Sequence, residues 1–558
     1  MFFSPLPYLL SFHFLPLRAV PKPKMGNNPS SLQSCLNQVC AGQTGCVGYP
    51  AFNGDPLYQV AWVKPYNLDS SAAVNPVAVV RPRTTEQVAG VVKCAAADNK
   101  KVQAKSGGHS YGNYGLGGPG ATDVVAIDMT NFQKFEMDKS SWKATIGAGH
   151  KLGKVSELLY KNGGRAMAHG VCPGVGIGGH ATIGGLGAMS RMWGSSLDHV
   201  LEVEVVTADG KIQRASETQN SDLFFAIKGA GGSFGVVTEF VMKTHASFGE
   251  TVQYMYSFTF TSMRDQWRTY KAWQDLIGDP KLDRRFGSQI IITPLGCIIQ
   301  GTFFGSRSEF DATGIASKLP STRNSTLQAR DWLGTLTHNA ESEALYISNL
   351  AAPFYSKSLG FRQEDLLSED AIKSMFNYIA DTSSGTLVWA IIFDLEGGAI
   401  NDVAMNATAY AHRDKTMFYQ SYAVGLPKVS STTRSFLTGF HDRIVKSIPS
   451  QSDVATLYAG YVDPGLGANA QPQYWGSNYP ALQQIKAKWD PKDVFRNYQS
   501  VKPASGSSSD NAASTSTGTN GGGDPRETGT PRKDNGAPRS STRWLFLALV
   551  SVVAQLLV

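Results

Sequence analysis

The stretch Ala104–Gly118 reads AKSGGHSYGNYGLGG and holds one histidine, two tyrosines and six glycines. A metal site would place a second histidine, a cysteine or a carboxylate at short spacing from His109. None is there, so no metal centre is expected. Glycine lets the main chain approach a bulky neighbour closely. The stretch therefore reads as a loop wrapped against something large, and what that object is decides both fold and function.

Short strands and helices alternate around the loop. VAVVRP (Val77–Pro82) reads as a strand, and TTEQVAGVVKCAAADN (Thr84–Asn99) as a helix with a Thr-Thr-Glu start signal. KVQAKS is a strand that runs straight into the loop. HKLGKVSELLYKNGG is a helix stopped by Gly163 and Gly164. VLEVEVVTADGKIQRAS is a hairpin turning at Asp209-Gly210. SDLFFAIKGAGGSFGVVTEFVMKTH gives a Ser-capped helix, a glycine turn and a strand. Further on, TVQYMYSFTF, SQIIITP, CIIQGTFFG and TLVWAIIFDLEGG read as strands, and YPALQQIKAKWDPKDVF as a late helix.

A chain of 558 residues, 42% hydrophobic and with 57 glycines, is expected to form more than one domain of loop-rich α/β or α+β structure. The net charge of +7 comes from scattered lysines and arginines, which form a solvated surface and no nucleic-acid face. Six cysteines are too few for a disulfide framework, and without a CxxC pair they do not build structural zinc. One or two bridges fit an oxidising compartment. Asn324-Ser-Thr and Asn406-Ala-Thr are glycosylation sequons consistent with secretion.

The last segment, WLFLALVSVVAQLLV (Trp544–Val558), is apolar and uncharged. It is shorter than the ~20 residues of a comfortable membrane span. It follows a polar spacer and the small residues Asn535, Gly536 and Ala537, the order of a glycolipid-anchor signal, with a tail-anchored helix as the alternative. Membrane association is expected only through this end. MFFSPLPYLLSFHFLPLRAV, at the start, lacks a basic n-region and carries three prolines, a poor signal peptide.

Each glycine motif alone is weak. The run Gly174-Val-Gly-Ile-Gly-Gly follows HGVCP and no strand, unlike a nicotinamide fingerprint. Together, AKSGGHSYGNYGLGG, HGVCPGVGIGGHATIGGLG, DLFFAIKGAGGSFGVVTEF and NYPALQQIKAKWDPKDVF form an ordered set over about Ser34–Val501. This set resembles the berberine-bridge-enzyme-like flavoproteins of the vanillyl-alcohol oxidase superfamily. Within them it looks most like the secreted fungal oligosaccharide oxidases of the glucooligosaccharide oxidase type, a likeness that TAYAHRD (Thr408–Asp414) strengthens.

The resemblance implies a two-domain α+β fold: a PCMH-type FAD-binding domain and a substrate domain of antiparallel sheet covered by helices. The expected division is a signal-like N-terminus at 1–30, the FAD domain at 31–245 and the substrate domain at 246–449. A berberine-bridge-type segment at 450–501 returns to the FAD domain, followed by a Ser/Thr/Gly-rich stalk at 502–543 and the anchor-signal tail at 544–558. The implied location is secreted, at the cell surface or wall. Of the disulfides, the resemblance implies Cys35–Cys94; Cys40 with Cys46 stays open.

The implied cofactor is FAD, held bicovalently by His109 at the 8α-methyl carbon and Cys172 at C6 of the ring. Ser106, Gly107, Gly108, Ser110, Gly176, Gly179, His180 and Gly184 complete the implied cofactor site. Val175, three residues after Cys172, matches the position that gates oxygen. Tyr461 is the implied catalytic base, with Tyr458 the other candidate, and Asp394 in AIIFDLEGG its carboxylate partner. A free tyrosine titrates near 10, so a base of this kind needs help; Asp394 gives it by accepting the phenol's hydrogen bond. Tyr111, Gln420 and Gln289 are the implied substrate contacts, Gln289 standing where the type enzyme has an acid.

The expected reaction is oxidation of the C1 hydroxyl of reducing-end oligosaccharides to lactone, then aldonic acid, with O2 reduced to H2O2. One departure stands out. Ala390 and Ile392 occupy the places where the sugar oxidases carry an aromatic residue and a glutamine, with Trp389 adjacent. The alternative within the family is therefore an oxidase of a non-carbohydrate alcohol in secondary metabolism. A non-catalytic surface binding protein is a third class, which His109, Cys172, Val175, Asp394 and Tyr461 argue against.

Overall fold

In the computed structural model the described residues are 30–259, 262–322, 324–332, 334–335, 351–448 and 457–504. The signal-like N-terminus before residue 30, the stalk beyond residue 504 and the apolar tail lie outside them. No helix among the described residues is long and apolar enough to cross a membrane.

Strands β1 (Val47–Gly48), β2 (Ala78–Val80), β3 (Lys101–Lys105) and β4 (Val124–Asp128) form a first sheet in the order β1-β2-β4-β3. β4 pairs in parallel with both β2 and β3 and is buried along its whole length, which is why VVAID reads as one apolar run. The helix Thr85–Ala97 packs against β3. Thr84 caps that helix by accepting from the Gln87 amide. A second, antiparallel sheet takes β5 (Phe135–Asp138), β6 (Lys143–Gly147), β8 (Val200–Val206), β9 (Ile212–Ser216) and β10 (Val236–Lys243) in the order β5-β6-β10-β8-β9. β7 (Arg165–Ala166) pairs with β11 (His245–Ala246) beside it. One apolar core runs through both sheets.

The helix Ser221–Ala230 differs from its sequence reading. Asn220 stands at the N-cap in a left-handed conformation (φ 48), and Ser221 is the first helical residue. The Asn220 side chain donates to the Arg214 carbonyl, tying the helix start to the preceding hairpin, so no side chain caps the helix.

The third sheet has seven antiparallel strands in the order β15-β12-β14-β13-β17-β18-β16. They are β12 (Thr251–Phe258), β13 (Phe286–Thr293), β14 (Gly296–Phe303), β15 (Asn324–Arg330), β16 (Phe354–Arg362), β17 (Trp389–Leu395) and β18 (Lys415–Val424). Alternation in β17 divides its side chains between two faces. Trp389, Ile391, Phe393 and Leu395 are buried in a second core under the helices Trp267–Ile277, Glu369–Asp381 and Ser431–Ser447. Ala390, Ile392 and Asp394 point the other way, toward the glycine loop.

The chain then returns to its first core. Trp475, Leu482, Phe495 and Val501 are buried there, and the Val102 amide donates to the Val494 carbonyl. Fully buried Lys486, in the helix Tyr479–Trp489, donates to Asp490 and to the carbonyls of Ser233 and Phe495. Two disulfides form: Cys35–Cys94, the pairing the resemblance implies, and Cys40–Cys46, which the sequence left open. Cys172 and Cys297 lie outside the two disulfides.

Candidate active site

The glycine loop and the segment around Cys172 meet backbone to backbone. A Cβ on Gly107 would collide with the Gly176 amide, and one on Gly176 with the Gly107 amide and the Ser106 hydroxyl. Ser106 Oγ donates to the Ala148 carbonyl (2.6 Å) and accepts from the Gly178 amide (3.3 Å), which pins the two segments together. Gly108 takes a positive φ of 76, where a side chain is strained. Among the described residues, nothing accepts from the amides of Gly107, Gly108 and Ser110.

His109 and Cys172 are half-buried, Gly179 faces open space, and Val171 is 55% exposed. The His109 ring lies on Tyr66 with centroids 4.3 Å apart. Unpaired amides suited to a pyrophosphate, glycines at the approach, and an imidazole and a thiol on the rim are the donor set a flavin dinucleotide requires. The residues fit FAD.

Two expected cofactor residues also serve the local packing. His180 Nε2 accepts from the Gly170 amide (2.8 Å), and burial lowers its pKa to about 3, so it is a neutral acceptor that holds the turn before Cys172. Gly184 is glycine because Tyr458 packs against it, where a Cβ would clash with the phenol ring. Val175 closes the turn from Cys172, donating its amide to the Cys172 carbonyl (3.2 Å).

Opposite the loop lies the free face of the third sheet. Asp394 on β17 is at its centre, with Gln289 directly across on β13. The Tyr461 hydroxyl donates to Asp394 Oδ2 at 3.4 Å, and Gln420 Nε2 approaches the same oxygen at 3.5 Å. Tyr111, from the glycine loop, donates to Gln420 Oε1 at 3.2 Å. The chain Tyr111–Gln420–Asp394–Tyr461 thus joins four distant segments. Ser358 fixes Tyr461 by donating to its carbonyl (2.8 Å).

Burial pushes the Asp394 carboxyl up to about 7, while the hydrogen bonds from Tyr461 and Gln420 pull it down. Burial, with the Asp394 charge next in weight, pushes the Tyr461 phenol well above its ordinary value. The hydroxyl of Tyr458, the other candidate, accepts from the Gly185 amide (2.8 Å).

Trp389 does not replace the missing aromatic platform. It lies on the opposite face of β17, buried against Phe436. TAYAHRD also acts outside the cleft: buried Arg413 makes a bidentate pair with Asp198 (2.8 and 2.9 Å), clamping the substrate sheet to the first half. Tyr66, Phe354 and Tyr422 surround Tyr111 with aromatic rings, and sequence reasoning missed all three. They stand in unrelated segments, and nothing local marks them.

A half with a glycine cradle for a dinucleotide, facing a sheet with a tyrosine–carboxylate pair, defines a flavin-dependent oxidoreductase. Comparison with known proteins agrees. An FAD-binding-domain family model matches residues 76–216, and a berberine and berberine-like model matches 457–502. The FAD-linked oxidoreductase sorD of Penicillium rubens is 38% identical over 482 residues, covering 85% of this chain and 99% of that protein. The xylooligosaccharide oxidase from Myceliophthora thermophila C1, solved with xylobiose, superposes with a TM-score of 0.74 at 30% identity, covering 85% of this chain and 100% of that one. The glucooligosaccharide oxidase from Acremonium strictum, with its 6-S-cysteinyl, 8α-N1-histidyl FAD, superposes with a TM-score of 0.74 at 31% identity, covering 85% and 99%. This chain belongs to the berberine-bridge-enzyme-like FAD-linked oxidases, which act on CH–OH donors with oxygen as acceptor.

Proposed function

We propose that this protein oxidises the C1 hydroxyl of a reducing-end oligosaccharide to the lactone, which hydrolyses to the aldonic acid, with O2 reduced to H2O2. The observation that carries the reading is the Tyr461–Asp394 pair on the free face of the sheet, opposite the dinucleotide cradle. Bound FAD supplies the acceptor for the hydride and passes the electrons to oxygen. The residues of the chain handle the proton. Tyr461 takes the proton of the substrate hydroxyl as its own phenolic proton moves to Asp394. A phenol held so far above neutrality cannot wait as a free phenolate, so the two transfers are coupled. Gln420 and Tyr111 hold Asp394 and the substrate in line.

FAD is attached through both His109 and Cys172 in this reading. The fit of both residues to the cradle supports it, as does the bicovalent flavin of the Acremonium strictum relative. The two disulfides support a secreted protein, with the apolar tail as signal for a surface anchor.

A non-carbohydrate alcohol is the second reading. Ala390 and Ile392 make the cleft wall apolar where a pyranose wants a platform and polar contacts, and Trp389 is turned away. Peroxide release with cello-, malto-, xylo- and chito-oligosaccharides, lactose and a panel of aromatic and allylic alcohols separates the two. Peroxide with one sugar series is expected, and Tyr461→Phe should lower that rate by about 10²-fold or more with flavin retained. Turnover confined to alcohols moves the assignment to the second reading, and a near-normal rate in the variant refutes Tyr461 as base.

A further inference from the structure

Two residues beyond Asp394, just past the end of β17, stands a second carboxyl. Glu396 is 3% exposed, and its Oε2 has no hydrogen-bond partner. By the rise of a strand it sits roughly 7 Å from Asp394. A buried, unpartnered carboxyl oxygen is costly and asks for an explanation.

The neighbours of Glu396 share the defect. Arg191, from the helix Ser190–Trp193, donates to the Glu396 carbonyl at 2.7 Å, yet its Nε is unpartnered. The Tyr410 hydroxyl is buried and unpartnered too. Tyr410 and Tyr458 are both coupled electrostatically to Glu396. Arg413 lies over the Tyr410 ring. Gly398 brings the Arg191 backbone against the DLEGG turn, where a Cβ would strike the Arg191 carbonyl. On its outer side, Arg191 senses Asp283 and Arg284, which belong to the half-exposed surface pairs Asp283–Arg285 and Arg284–Asp402. A carboxyl oxygen, a guanidinium N–H and a phenol thus lie buried and unpaired in one neighbourhood, with Glu396 coupled electrostatically to Asp394, Arg191 and Tyr410. Such a group of polar atoms is the lining that internal water takes.

We propose that Glu396 and the water it binds form the exit path for the substrate proton, and that Glu396 is a proton-relaying residue behind the base. After the substrate hydroxyl has given its proton to Tyr461, and Tyr461 its own to Asp394, Asp394 carries one extra proton. It passes that proton through water to Oε2 of Glu396. Glu396 releases the proton on its other oxygen to water, which carries it to bulk solvent; rotation of the carboxyl restores the starting form, and Asp394 is again a carboxylate. No electrons move in these steps, and Glu396 is a neutral acid before and after. Burial and the nearby Asp394 charge favour that neutral form, against the pull of Arg191.

The proposal rests on the Tyr461–Asp394 reading, and its test fails separately from it. In the flavin-loaded full chain with xylobiose, Glu396→Gln keeps shape and neutrality but cannot relay. The expected result is a kcat lower by about ten-fold or more, an unchanged KM, a larger solvent isotope effect and partial recovery in Glu396→Asp. Wild-type rate and isotope effect in Glu396→Gln, or equal rates in the two variants, overturn it. Two measurements on the wild type need no variant and, for the second, no turnover. A proton inventory should show more than one proton in flight, and a single one overturns the relay. Infrared spectra at pH 8 of protein with selectively 13C-labelled glutamate should show an isotope-shifted, protonated carboxyl band, and its absence overturns the neutral Glu396. A dead Tyr461→Phe with a normal Glu396→Gln removes the relay alone; a near-normal Tyr461→Phe removes the base assignment.

Discussion

Asp394→Asn should disable the enzyme and stabilise it, and the stabilisation should depend on pH in a defined way. Burial raises the Asp394 carboxyl from its ordinary 3.8 to about 7. An acid with a higher pKa folded than unfolded holds its proton more tightly in the folded state. The folded state therefore loses stability as pH rises from about 4 to about 7, and the loss is complete above that. Roughly three units at ~1.4 kcal/mol each give an upper bound of ~4 kcal/mol. Asp394 is open to the cleft on one side, and water there cuts the figure to ~2 kcal/mol. Asparagine has no charge to bury. The flavin-loaded variant should match wild type in thermal unfolding at pH 4, then gain until pH 7 and hold the gain to pH 9. For a body of this size the plateau is about 2–4 °C. A melting difference that does not change between pH 4 and 8 would refute the burial argument. The same titration shapes activity: kcat/KM should rise through about pH 7 as Asp394 becomes able to accept the proton, and Asp394→Asn should abolish that limb.

Cys172→Ala should leave flavin attached through His109 alone, and Cys172→Ala with His109→Ala should release it to the supernatant on acid precipitation; flavin still pelleting with the double variant would refute the two attachment points. Arg413→Met should destabilise the protein by about 3–5 kcal/mol, because it strands Asp198 as a buried charge while leaving the Tyr461–Asp394 pair uncut. Thermal unfolding checks it, and a melting temperature within a degree of wild type would show that the clamp carries little.

The dinucleotide half was legible because its signals are local. A threonine cap, a paired-glycine stop and an Asp-Gly turn each act within a few residues, and the helix Thr85–Ala97 and the hairpin of β8 and β9 follow them. The base pair was legible only through motif order, since Asp394 and Tyr461 are 67 residues apart. The direction of Trp389 was written in the sequence as strand parity: Trp389, Ile391, Phe393 and Leu395 are the apolar set, so the alternate residues must face the cleft. The Ser221 cap failed because Asn220 found a partner in the hairpin, a contact outside the helix. Gly184 and His180 sit inside a cofactor motif for reasons set by Tyr458 and Gly170, which no local window contains.

The site exists only where the two halves meet, and the chain invests its buried polar contacts there. Arg413–Asp198 and Arg191 with the Glu396 carbonyl cross the seam, and the Tyr111–Gln420–Asp394–Tyr461 chain closes it. Each contact would be a liability in an ordinary core, where an apolar pair of the same volume does as well or better. Here they hold a carboxyl in surroundings dry enough to bring its pKa near neutrality, within reach of a phenol that needs an acceptor. Apolar packing at the seam would hold the halves together equally well and leave Tyr461 with nowhere to send a proton. In the proposed reaction their placement follows from the proton chemistry of the cleft, and stability of the interface alone does not explain it.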